Sequence, residues 1–151
     1  MRLGLCVAAA ALLFPATTEA RTHAGWQLAL SWPADGAVTS PFGIDGTRWH
    51  SGLDIGVLQS TGVRAAADGA VTKVGYVARF EGYGNIVMVA HRAGYSTLYA
   101  HLSLPLARVG QKVSRGESIG VAGCTGWCTG THLHFELRYR DRAIDPSLLM
   151  Y

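Results

Sequence analysis

From residue 62 onward the chain offers only short β-rich runs, each closed by glycine or another turn former. No long stretch carries the apolar spacing of a helix. The runs 63–67, 70–74, 85–91 and 96–102 follow one another in this way, and the glycine-bounded stretch 110–120 repeats the pattern. With 19 glycines to punctuate them, short runs of this kind predict an all-β sandwich or barrel. Residues 33–46, with Pro33, Gly36, Pro41 and Gly43, read as turns that deliver the chain to His50.

The run at 131–139 carries chemistry on one side. In a strand, alternate residues face opposite ways, so His132, His134, Glu136 and Arg138 share a face while Leu133, Phe135 and Leu137 point into a core. Two histidines on one face suggest a metal site, but a catalytic zinc takes three protein ligands and keeps one position open. Further donors lie at His50 and Asp54, which bracket Gly52, and at His101.

His50-x-x-x-Asp54, Tyr99-Ala100-His101 and His132-x-His134, in that order, closely resemble the lysostaphin-type (LytM-like) zinc endopeptidases that cut bacterial peptidoglycan. The resemblance spans residues 41–146. It implies an all-β hybrid barrel-sandwich of short antiparallel strands, zinc held by His50, Asp54 and His134, and His101 and His132 as catalytic groups. Stem peptides or cross-bridges of peptidoglycan are the implied substrate. Two other functions stay open: a non-catalytic module that binds the wall or activates other hydrolases, and a secreted protease acting on glycine-rich proteins. The related biotinyl and lipoyl carriers need a lysine at a hairpin tip, whereas Lys73 lies inside a strand-like run.

Other residues carry two readings each. Glu136 either orients a ligand from behind or pairs with Arg138. Tyr99 shares the strand parity of His101 and is expected to be half-buried, while His91 is assigned to structure. Trp49 either borders a groove or packs, and Trp127 is expected to border the cleft and grip a peptide stem.

Arg2, the apolar residues 3–14 and the small residues up to Ala20 read as a secretory signal over 1–20. That leaves a short leader over 21–40 and a peptidase domain over 41–151. The apolar run is too short to span a membrane comfortably, so the expectation is an exported monomer, periplasmic or secreted, with no stable membrane insertion. Removing the signal takes one Arg and one Glu and leaves the net charge at +3. This balance suits an anionic wall polymer, and the absence of a basic cluster argues against nucleic acid. Cys124 and Cys128, free or bridged, are the pair that remains. A bridge would contribute about 2 kcal/mol and hold the turn before His132.

Overall fold

A computed structural model describes residues 28–151, with Asp45 described by its backbone alone. The signal-like segment 1–20 and the leader up to residue 27 lie outside the described residues. In chain order the strands are β1 Ala37–Ser40, β2 Gly43–Asp45, β3 Arg48–His50, β4 Leu53–Gly56, β5 Gly62–Arg64, β6 Gly69–Gly75, β7 Asn85–Ala90, β8 Tyr95–Pro105, β9 Lys112–Val113, β10 Ser118–Ala122, β11 Leu133–Tyr139 and β12 Arg142–Ile144. All of their pairings are antiparallel. Ten strands form one sheet with the central order β1-β4-β11-β8-β7-β6-β9, and β2 and β3 form a separate hairpin. The all-β class read from the sequence is the class observed.

Apolar alternation on β11 does what its sequence requires. Leu133, Phe135 and Leu137 are wholly buried and join Ile55, Val87, Tyr99, Leu102 and Ile119 in the main core. Phe135 packs its ring 5.3 Å from that of Tyr99. Truncating so large a buried ring would cost roughly 3–5 kcal/mol.

Strands β1 and β2 form where the sequence suggested turns. The side chains of β1 are exposed or nearly so, so burial does not make it a strand. Main-chain pairing of Val38 with Ile55 on β4 does. Residues 28–40 pack onto the domain as well: Leu30 is fully buried and bridges Met150, and Ala34 joins the core.

The long strand β8 organises the rest. Its first half pairs with β11, from Tyr95 opposite Tyr139 to Ala100 opposite His134. Its second half pairs with β10, from Leu102 opposite Ala122 to Pro105 opposite Gly120. The change of partner falls at His101, which has a left-handed backbone with φ 59°. Such a conformation is uncommon for a side chain other than glycine, and it re-aims the residues around it.

Candidate metal centre

Antiparallel register places Asp54 on β4 directly opposite His134 on β11. His50 ends β3, and the chain then turns through Ser51 and Gly52 into β4. Gly52 lies so close to β11 that an added Cβ would stand 2.4 Å from the Phe135 carbonyl and 3.0 Å from the His134 ring. Only glycine lets the His50–Asp54 step fit against that strand.

Three donor atoms meet there. His134 Nδ1 is 2.8 Å from Asp54 Oδ1, and His50 Nε2 is 3.1 Å from both. Four tetrahedral ligands at about 2.0–2.1 Å from zinc stand roughly 3.3 Å apart, so the triad fits such an ion after small outward shifts. The tautomers agree. His50 Nδ1 faces the Pro41 carbonyl at 2.8 Å and His134 Nε2 faces the Glu136 carboxylate at 3.2 Å. These groups only accept, so the nitrogens facing them carry hydrogen, and the two lone pairs of the neutral rings point at each other. A cation resolves that arrangement.

Without a metal, a proton does so instead. Burial pushes the His134 ring down, but hydrogen bonds to Asp54 and Glu136 outweigh it and raise it to about 9. The hydrogen bond to Asp54 likewise raises His50. Burial works against the Asp54 carboxylate, yet the two histidines hold it well below the usual carboxylate range.

Behind His134, Glu136 is completely buried and fully used. Its Oε1 accepts from Ser51 at 2.5 Å and Tyr83 at 2.6 Å, and Oε2 pairs with Arg138. Burial alone would raise this carboxyl, but His134, Ser51 and Tyr83 draw it down to about 2. Both readings of Glu136 therefore hold at once: it orients a donor histidine and it pairs with Arg138. Ser51 and Tyr83 were missed in the sequence, where no motif marks them. Tyr83 sits in a three-residue 3-10 turn, Glu81–Tyr83, with its ring 5.2 Å from that of His134.

His101 and His132 stand beside the triad. Their rings are 4.8 Å apart, and His132 Nε2 is 3.7 Å from Asp54 Oδ1. His101 Nδ1 faces the Thr125 carbonyl and His132 Nδ1 the Gly130 carbonyl, each at 2.8 Å. Each neutral ring therefore keeps its lone pair on Nε2. Burial pushes His101 down, which favours that neutral form. The shared parity expected for Tyr99 and His101 is not observed. Left-handed His101 breaks the alternation, so Tyr99 and Leu102 both enter the main core while His101 lines the cleft. Tyr99 is wholly buried, not half-buried, and its hydroxyl accepts the Ala66 N–H at 2.8 Å. His91 lies apart, bonded to the Asp68 carbonyl and to Thr97, as a structural residue would be.

Cys124 and Cys128 are bridged. Their loop carries Thr125, which holds His101, and Gly126, where a Cβ would stand 2.4 Å from Gly84 N. The loop thus docks on the segment carrying Tyr83. Trp127, at its tip and 84% exposed, and Trp49, 65% exposed, both line a cleft of about 820 Å³ that contains all five histidine and aspartate candidates.

Residues 48–146 match the model of peptidase family M23. The chain belongs to that family. Among curated M23 relatives, the cell division protein DipM of Caulobacter vibrioides is 38% identical over 142 residues, covering 89% of this chain and 23% of its own. The DD-carboxypeptidase/endopeptidase Mpg of Neisseria meningitidis is 44% identical over 115 residues, 72% of this chain and 26% of its own. The murein hydrolase activator NlpD of Escherichia coli is 36% identical over 115 residues, 76% and 29%. The chain thus spans about a quarter of the length of these relatives. A zinc-containing peptidase from Vibrio cholerae superposes with a TM-score of 0.67 at 34% identity, covering 79% of this chain and 39% of that one. The lysostaphin catalytic domain from Staphylococcus simulans gives 0.61 at 30%, covering 78% and 87%. The M23 fold is therefore the lysostaphin-type β architecture that the sequence resembled.

Proposed function

We propose that this M23 domain is an exported zinc metalloendopeptidase that hydrolyses peptide cross-links of bacterial peptidoglycan, with residues 1–20 as its signal and residues 41–151 as its catalytic unit. The observation that carries the reading is the complete donor triad, His50, Asp54 and His134, open to a cleft that also presents His101 and His132. A zinc ion on that triad would supply Lewis acidity, lowering the pKa of a water and polarising the scissile carbonyl.

The remaining work falls to the chain. Asp54, held ionised, offsets part of the cation's charge. Glu136 keeps the His134 proton on Nε2 so that Nδ1 stays a donor. His101 and His132, anchored by carbonyls at Nδ1, use Nε2 to take a proton from the attacking water, to donate toward the developing oxyanion, and to return a proton to the departing amine. Trp49 and Trp127 flank the peptide.

NlpD supports a second reading, activation of another hydrolase, and the full donor set argues for catalysis over it. Digesting purified peptidoglycan with and without chelator, and identifying products by mass, separates the two. Zinc-dependent release of new peptide termini is expected; binding to the wall without release would favour the activator.

A further inference from the structure

His101 and His132 take their orientation from one short segment of chain. The Thr125 carbonyl accepts from His101 Nδ1 and the Gly130 carbonyl from His132 Nδ1, and each is the one hydrogen bond its ring makes among the described residues. The donor triad does not lean on this segment: His50 uses Pro41 and Ser40, and His134 uses Glu136. The Cys124–Cys128 bridge closes the chain around Thr125, and Gly130 lies two residues past it. Thr125 is pinned by its hydroxyl, which donates to the Leu102 carbonyl at 2.8 Å and accepts the Asn85 N–H at 3.0 Å. Just before the bridge, the Gly123 carbonyl accepts the His132 N–H at 3.2 Å. Between these pins Gly126, left-handed at φ 75°, and Gly130 leave the backbone free to wander, and the bridge restricts it. Cys124 is exposed, so a reductant can reach the sulfurs.

We propose that the Cys124–Cys128 bridge is a redox gate on turnover: oxidised, it locks Thr125 and Gly130 where they hold His101 and His132; reduced, it releases both rings and leaves the metal in place. The gate rests on the peptidase reading, while the hold on the rings does not. Thr125 acts through His101 and is a positioning residue. The natural reductant is a dithiol. Its thiolate attacks one sulfur of the bridge and its second thiol resolves the mixed disulfide, so two electrons and two protons pass to Cys124 and Cys128 as the dithiol becomes a disulfide. Moving a catalytic group by about 1 Å costs roughly 100-fold in rate, enough for a switch. In an oxidising compartment the bridge persists and turnover is on.

The test compares the zinc-loaded full chain before and after reduction by a phosphine, which gives two electrons to the bridge and becomes its oxide with oxygen from water. Cleavage of soluble cross-linked muropeptides, bound zinc and the ring N–H signals in nuclear magnetic resonance are read on the same samples. Reduction is expected to lower kcat about 10- to 100-fold with zinc retained. It should erase the Nδ1–H signals of His101 and His132 and spare those of His50 Nδ1 and His134 Nε2. Cys124→Ser/Cys128→Ser should match the reduced protein and ignore the phosphine. In the oxidised protein Thr125→Val should lower kcat more than it raises KM, and Thr125→Ser should restore it. Signals of His101 and His132 that survive reduction, zinc lost together with turnover, or an equal phosphine effect in the double cysteine variant overturns the gate. If peptide is cut with equal kcat in both redox states, the hydrolase reading stands and the gate falls. If the oxidised protein cuts nothing but the two ring signals vanish on reduction, the hold on the rings stands and the hydrolase reading falls.

Discussion

The donor triad draws on two regions with unequal support. His134 and Asp54 sit on neighbouring strands inside the ten-stranded sheet, with Phe135 wholly buried beneath them and Glu136, Tyr83 and Ser51 behind. His50 ends a two-stranded hairpin whose Ile44 is 78% exposed and whose Trp49 rests on Phe42 at 5.2 Å. One side is fixed by the core. The other is held by the Pro41 carbonyl, the Ser40 hydroxyl and the triad itself. The comparison teaches that the sheet fixes two of the donors, while the third stands on a hairpin outside that sheet and rests on side-chain contacts.

The largest expected effect tests the fixed side. His134→Ala removes a buried donor and leaves Glu136 facing only Ser51, Tyr83 and Arg138, so zinc content and peptide release should both fall to background. Retention of one zinc per chain would contradict the assigned ligand. Glu136→Gln is gentler: the ring loses the carboxylate that accepts from its Nε2, and zinc affinity should drop about 10- to 100-fold, read by competition with a chelating dye.

The lightly held side is tested by removing the metal. On chelation, amide hydrogens of the β2–β3 hairpin should exchange faster while those of β11 keep their protection. Uniform loosening of both regions would show that the ion supports the whole sheet and not the hairpin.

Proton linkage adds a smaller effect with a definite sign. In the metal-free domain His134 is raised from 6.5 to about 9, so its contribution to stability is complete below pH 6.5 and is lost as pH rises through 9. Glu136 is lowered from 4.5 to about 2, so its contribution is present above pH 4.5 and is lost as pH falls through 2. Thermal unfolding of the metal-free domain should therefore show highest stability between about pH 4.5 and 6.5. Zinc needs His134 deprotonated, so the stability gained on adding zinc should grow as pH rises toward 9.

Much of the domain was legible in the sequence because strand periodicity is local. The β11 face, with His134 and Glu136 out and Phe135 in, follows from side-chain alternation alone. The His50–Asp54 step was legible through the family resemblance, whereas the close approach that demands Gly52 shows only against β11. Other features depend on contacts that alternation cannot report. Strand β1 exists through its pairing with β4, without a buried face. His101 reaches the cleft through one left-handed residue, which the apolar pattern of β8 hides. Tyr83 and Ser51 acquire their role from Glu136, 53 and 85 residues away.

The central claim is that three side chains hold the ion while two others turn it to use. It is tested most directly by measuring bound zinc and peptide release on the same samples of the parent protein, His50→Ala, His101→Ala and His132→Ala. His50→Ala is expected to lose zinc, whereas the other two variants should keep one zinc per chain and lose about 100-fold or more of turnover. Normal peptide release by His101→Ala and His132→Ala, or full zinc in His50→Ala, would contradict it.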